Sequence, residues 1–177
     1  MLEGGGLLII WLNGAYGAGK TTVAEILKKK RPDSYLYDPE NIGDFLRDNL
    51  PTEMQKEDFQ EFSEWRSWNV HILKKISEEY TGDILAPMTL YKQPAFSEVF
   101  DGLMHARITV CHFQLEVSRE TLIERLRKRP EKMTEWGIQR VDAILEAFET
   151  IPAKEKIVNE GRTPEETAQA ILERLPN

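Results

Sequence analysis

The chain has a single cysteine, Cys111, fewer basic than acidic residues (23 against 30), and no apolar run near the ~20 residues that span a bilayer. Each scarcity removes a class of protein. One cysteine excludes an intramolecular disulfide framework, and its apolar setting reads as a small buried hydrophobe. A formal net charge of −7 argues against a nucleic-acid partner, so any positive field must be local. No basic start, apolar core and small-residue cleavage site follow one another at the beginning of the chain, so no secretory signal is read and the expected location is cytoplasmic. His71, His105 and His112 share no metal-ligand spacing. No repeat, linker or low-complexity tract divides the 177 residues, which read as one domain, 1–177, with residues 1–6 as a flexible tail. Oligomeric state is not fixed by any of these features.

What the chain does have is concentrated near its start. Residues 7–12 are almost wholly apolar, the pattern of a strand buried on both faces of a parallel sheet. Asn13-Gly14-Ala15-Tyr16-Gly17-Ala18-Gly19-Lys20-Thr21-Thr22 follows and fits G-x-x-x-x-G-K-[ST] at Gly14, Gly19, Lys20 and Thr21. Val23, Ile26 and Leu27 then recur at helical spacing. Strand, glycine loop and helix stand in the order that a phosphate-binding loop requires. Glycines let backbone N–H groups turn inward around phosphate oxygens, and the helix opening at about Lys20 adds its positive end. Lys20 is expected to reach the β- and γ-phosphates, and the Thr21 hydroxyl to bind Mg²⁺. The chain is read as binding a nucleoside triphosphate, ATP or GTP.

Strand and helix patterns alternate along the rest of the sequence. Strands are expected at 34–37, 83–88, 107–115 and 156–159, and helices at 42–50, 56–80, 120–129, 136–148 and from 164, with loop and helix over 93–104. Thr163-Pro164-Glu165-Glu166 opens the last helix with a cap, a first-turn proline and acids. This alternation predicts an α/β fold: a five-stranded parallel sheet flanked by helices in three layers, with right-handed crossovers. Ala168, Ile171, Leu172 and Leu175 share a face of the last helix. Its polar face is mostly acidic, so packing on the sheet is the better reading and membrane association the lesser one.

Ligands in such sheets lie beyond the carboxyl ends of the strands, which ranks the remaining candidates. Asp38, just past the second strand, is placed to accept a proton from an attacking hydroxyl or to hold Mg²⁺ through water. The plain alternative is an Asp-Pro turn residue, and Glu40 is the substitute base. Arg125 and Arg129 share one helix face at i and i+4 and can close on triphosphate oxygens; otherwise they are an exposed basic helix end. Arg47, Trp65 and Arg66 lie in the segment that covers an acceptor pocket, where a ring can stack on a planar base; an aromatic stripe is otherwise core. Asn159 ends the fifth strand, where an adenine edge rests in such folds, or is a turn residue. The third strand has no aspartate at its carboxyl end, where many phosphate-loop proteins hold Mg²⁺ through water. Asp83 is at the wrong end to replace it.

The residues together resemble a known family. Residues 10–21, Tyr37-Asp38-Pro39-Glu40, Leu46-Arg47, Asp58-Phe59-Gln60, Trp65-Arg66, Pro87-Met88-Thr89, His112-Phe113, Glu120-Thr121-Leu122, Arg125-Leu126 and Arg129 are similar to the tunicamycin resistance proteins. These fall in the nucleoside and nucleotide kinase-like branch of P-loop proteins. The resemblance covers nearly the whole chain. It implies a nucleotide-kinase-like fold with a short lid over about 125–140 and acceptor-covering helices over about 38–80. It implies ATP and Mg²⁺ as cofactors, and tunicamycin or a related uracil nucleoside as the small-molecule partner. If the chain is a kinase, Asp38 stands where antibiotic phosphotransferases of similar fold keep their base. The other reading is ATP-dependent sequestration of the drug without phosphoryl transfer.

Overall fold

The apolar run at the start becomes the central strand, β1 (Leu8–Asn13), of which Ile9 to Asn13 are all buried. The computed structural model describes residues 7–129 and 131–176, without the side chains of 131–133; the tail expected at 1–6 lies outside them. Four further strands join β1, namely β2 (Tyr35–Leu36), β3 (Ile84–Pro87), β4 (Thr109–Glu116) and β5 (Lys156–Val158). All pairs are parallel, in the order β2-β3-β1-β4-β5. The expected α/β class and five-stranded parallel sheet are what the chain adopts.

Period-two alternation along β1 sends Ile10 and Leu12 into one core and Ile9 and Trp11 into the other. The first core is covered by α1 (Lys20–Lys30), α5 (Arg119–Arg127), α7 (Val141–Glu149) and α8 (Pro164–Leu172). The second is covered by α2 (Glu40–Asn49), α3 (Ser63–Glu79) and α4 (Gln93–His105). Ala168 and Ile171 of α8 are wholly buried against α1, as the packing reading expects. Thr163 caps α8 in a reciprocal arrangement with Glu166. No helix of the described residues is long and apolar enough to cross a membrane.

Two expected helices differ in the structure. The helix expected over 56–80 begins only at Ser63, after two 3-10 turns at Thr52–Met54 and Phe59–Glu61. The Asp58 carboxylate accepts the Gln60 N–H at 3.0 Å, and that local bond competes with helix formation. The helix expected over 136–148 is two, α6 (Glu131–Ile138) and α7, broken at Gln139 and Arg140. Arg140 turns back to stack on Trp136, with its guanidinium carbon 4.1 Å from the ring centre, and pairs with Glu57 at 3.0 Å.

Asp83, at the amino end of β3, ties the far edge of the sheet. It accepts the Leu8 N–H at 3.1 Å and pairs with Arg31. Beside it Gly82 packs so tightly on the α1–β2 turn that an added Cβ would lie 1.8 Å from the Asp33 carbonyl oxygen. That atom is backbone and cannot rotate away. Gly82→Ala is expected to cost about 2 kcal/mol, a fall in Tm of roughly 4–8 °C, measured by thermal unfolding. An unchanged Tm would show that the turn has room.

Candidate active site

At the carboxyl end of β1 the chain bends through 14–19 into α1. Gly17 and Gly19 take left-handed φ values of 88° and 92°, where a side chain is strained. A Cβ on Gly17 would also approach the Leu122 carbonyl oxygen to 3.3 Å. No side chain caps α1, so its first amides stay open toward the cleft, which suits an anion. The Lys20 amine folds back and donates to the carbonyls of Gly14 at 2.9 Å and Ala15 at 3.0 Å. Desolvation of that amine pushes its pKa down to about 7, with Arg129 adding to the shift and Glu40 opposing it.

The loop is held from behind by side chains that the sequence marked through the family resemblance but without this role. The Asn13 carboxamide oxygen accepts the amides of Gly14 and Leu90, both at 2.9 Å. Its nitrogen donates to the Leu90 carbonyl at 2.8 Å and to His112 Nε2 at 3.1 Å. That fixes the neutral His112 tautomer, whose Nδ1–H donates to Glu155 at 2.7 Å, and burial lowers the His112 pKa. The Thr89 hydroxyl donates to the Gly14 carbonyl at 2.8 Å. Residues just past β3, with His112 from within β4, thus brace the turn.

In front of the loop lies a cleft of about 680 Å³. Gly17, Gly19, Lys20, Thr21, Thr22, Asp38, Arg47 and Arg129, all expected site residues, line it. Asp38 is exposed, its Oδ1 accepts the Glu40 N–H at 2.9 Å, and it is thus a turn residue on the cleft wall. Glu40, also on the wall, has its pKa raised by burial and by Asp38. Arg47 pairs with Asp44 and lies over the Phe59 ring, 5.2 Å from its centre. Tyr16 lines the cleft as well, and its ring stands 4.8 Å from Trp136.

A smaller hollow of about 260 Å³ adjoins the loop, lined by Arg125, Arg129, Asn159 and Arg162 among others. Arg125 donates to the Gly17 carbonyl at 3.3 Å. The Asn159 side chain is committed: it donates to the Ala18 carbonyl at 2.7 Å and accepts from Thr167. It lines the hollow as a strut of the loop rather than with a free edge.

Two expected acceptor contacts do not reach the cleft. Trp65 is fully buried and donates to the Pro39 carbonyl at 2.9 Å, steadying the turn that carries Asp38. Arg66 donates to Glu98 at 2.5 Å and to the Gln60 carbonyl at 2.8 Å. Helical spacing gives a face but not which core the face meets. In their place the cleft presents Asp44, Lys56, Glu57, Asp58, Phe59, Met88 and Trp136. Of these, Asp58, Phe59 and Met88 had a signal in the sequence, as part of the family resemblance.

The donor set fits a phosphate chain, with open amides, left-handed glycines and an amine enclosed by carbonyls. A magnesium ion fits less fully. Thr21 and Asp38 share the cleft, but β3 ends in Pro87 with no acid, and no group of three or more His, Cys, Asp or Glu among the described residues could hold a metal alone. Such an ion would rest on phosphate oxygens and water as well.

A family model described as an AAA domain matches residues 10–146. No curated protein sequence matches the chain significantly. Among solved structures, the chain is similar to the Deinococcus radiodurans tunicamycin resistance protein, with 26% identity, a TM-score of 0.78 and coverage of 96% of this chain and 95% of that one. A gluconokinase from Sinorhizobium meliloti 1021 is 14% identical with a TM-score of 0.62, covering 94% and 91%. The Mycobacterium tuberculosis APS kinase, solved with AMPPNP and APS, is 17% identical with a TM-score of 0.59, covering 96% of each. The last two share the fold.

Two tests follow from this geometry. Asn13→Ala strands buried donors and acceptors of the loop and is expected to cost roughly 2–3 kcal/mol, read by denaturant unfolding; a loss within error would remove the bracing role. Lys20 must be charged to hold a phosphate, yet near pH 7 the free amine is half deprotonated. Affinity for AMPPNP should therefore fall by up to about tenfold per pH unit above 7, with proton uptake visible by calorimetry in different buffers. For the free chain the sign is opposite. Stability rises from pH 7 to 10.5, because the unfolded lysine keeps its proton there. A flat binding profile would refute the depressed pKa.

Proposed function

The chain belongs to the AAA-domain family, within the kinase-like P-loop superfamily, and on that premise we propose that it is an ATP-dependent small-molecule phosphotransferase acting on tunicamycin or a related uracil nucleoside. The observation that carries this reading is Lys20, Thr21, Asp38 and Arg129 on the walls of one cleft. Similarity to the tunicamycin resistance protein over nearly the full length of both chains supports the acceptor.

When bound, MgATP supplies the γ-phosphoryl group and the metal spreads its charge. The open amides of the loop hold the phosphates in line with the acceptor. Asp38 takes the proton of the acceptor hydroxyl as the oxygen bonds to phosphorus; one of its oxygens holds the Glu40 N–H and the other has no partner among the described residues. The bond to the bridging oxygen breaks, and ADP departs with that electron pair. Lys20, Arg125 and Arg129 neutralise the charge that spreads over the phosphoryl oxygens. Thr21 is the residue that would hold the metal, with phosphate oxygens and water completing its shell.

One observation favours a second reading, ATP-dependent sequestration of the drug. The carboxyl end of β3 carries Pro87 and Met88 where an acid would anchor Mg²⁺. Mass spectrometry of tunicamycin after incubation with the protein, ATP and Mg²⁺ separates the two. One added phosphoryl group, absent with Lys20→Ala, is expected. Asp38→Asn should bind AMPPNP normally and lower kcat about 10²–10⁴-fold. An unmodified drug that binds more tightly with ATP would replace transfer by sequestration, and normal turnover in Asp38→Asn would remove the base assignment.

A further inference from the structure

The hydrogen bonds that brace the phosphate loop end on a group that titrates. His112 of β4 is 8% exposed and stands opposite Trp11 of β1 in the sheet register. Phe96 and Phe100 of α4 meet its ring at near right angles, with centres 5.3 and 5.2 Å away. Both ring nitrogens are in use, Nδ1 with a Glu155 carboxylate oxygen at 2.7 Å and Nε2 with Asn13 Nδ2 at 3.1 Å. An ionised carboxylate only accepts and a carboxamide nitrogen only donates. The arrangement therefore exists only for the neutral ring with its proton on Nδ1.

A second proton, on Nε2, would point at the Asn13 N–H, donor against donor. Turning the Asn13 carboxamide over gives no escape. Its oxygen accepts the amides of Gly14 and Leu90, both at 2.9 Å, and its nitrogen donates to the Leu90 carbonyl at 2.8 Å. The reversed group would set its nitrogen against two donors and its oxygen against an acceptor. Burial of the ring holds its pKa below the ordinary value, and Glu155, the charged group that acts on it, opposes that shift. The other titratable groups on its neighbours turn elsewhere. β1 has none; Glu98, Asp101 and His105 of α4 and Lys154 beside Glu155 are exposed. Cys111 packs on the other core, and Lys156 of β5 pairs with Glu116 at 3.6 Å.

We propose that His112 and Glu155 are positioning residues for phosphate binding: the neutral imidazole fixes which way the Asn13 carboxamide faces, Asn13 fixes the first amide of the loop, and a proton on Nε2 releases that brace. The proposal rests on the reading of the loop as the phosphate site and adds residues that act on it only through Asn13. It gives nucleotide binding an acid limit, set by His112, beside the alkaline limit set by Lys20. For the free chain the sign is that of a histidine buried neutral. The unfolded ring takes its proton first, so stability falls as pH drops below about 6.5 and levels off once the folded ring is protonated.

The test is calorimetric binding of AMPPNP to the full chain between about pH 5 and pH 8, with circular dichroism verifying at each pH that the chain is folded. Wild-type affinity should fall on the acid side by up to about tenfold per pH unit once His112 takes its proton. His112→Gln offers an oxygen to Asn13 and an N–H to Glu155 without titrating. It should match the wild type at neutral pH and lose that part of the acid limb. Protonation of the ligand is common to both chains, so the ratio of their affinities isolates the histidine. Glu155→Gln still accepts from Nδ1 but removes the charge that favours the imidazolium, so the limb should move to lower pH. His112→Phe, without the acceptor, should bind about fivefold more weakly at every pH. A His112→Gln to wild-type ratio that does not change with pH, a limb unmoved by Glu155→Gln, or full affinity in His112→Phe would overturn the proposal and leave the phosphate site in place. A wild-type chain that binds no AMPPNP at any pH would overturn the phosphate-site reading and this proposal with it.

Discussion

The architecture depends on one side chain whose hydrogen bonds all go to the protein itself. The carboxamide of Asn13 sits where β1 ends and its four hydrogen bonds reach in three directions: to the first amide of the glycine loop, to Leu90 after β3, and to His112 on β4. All of these atoms are buried, so each would be costly if left unpaired. The loop is therefore not a free glycine-rich turn. Asn13 and Thr89 brace its start and Asn159 its middle, each through a buried bond to a backbone group. A backbone pre-shaped in this way meets a phosphate without further ordering, which is how a loop with little side-chain chemistry of its own becomes a site.

With the loop braced, both signs of charge face one cleft: Lys20, Arg47, Lys56 and Arg129 stand on its walls with the carboxylates of Asp38, Glu40, Asp44, Glu57 and Asp58. They are in electrical contact: Glu40 opposes the fall in the Lys20 pKa, and Lys20 opposes the rise at Glu40. Tyr16, Trp136, Arg140 and Glu57 are in contact in sequence, ring on ring, cation on ring and ion pair, linking the loop to α6 and α6 to the segment that precedes α3.

Much of the fold was legible because its signals are local. Continuous apolar runs marked the buried strands, and Thr163 with Glu166 marked the start of α8. The failures share one cause. The extra helical length expected over 56–62 yields to an Asp58 cap, and the single helix at 136–148 yields to the Arg140 turn, because a local polar bond outweighs a continuous apolar stripe. Trp65 and Arg66 were legible as important but not in their roles. Both fix neighbours of the site, Pro39 and Gln60, and a contact across 26 residues leaves no periodicity to read.

By itself, then, the sequence determined the phosphate loop, the parallel α/β order and the place of Asp38 after the second strand. Each is written in contiguous residues whose backbone geometry and periodicity suffice. Only the tertiary structure decided that Asn13 and Asn159 are struts, that Trp65 turns inward, and that Arg47 and Arg140 are paired with Asp44 and Glu57. Those facts are differences between alternatives of equal local merit. An arginine reads the same whether its guanidinium is free for a substrate or spent on an aspartate, and only the packed chain brings that aspartate within reach.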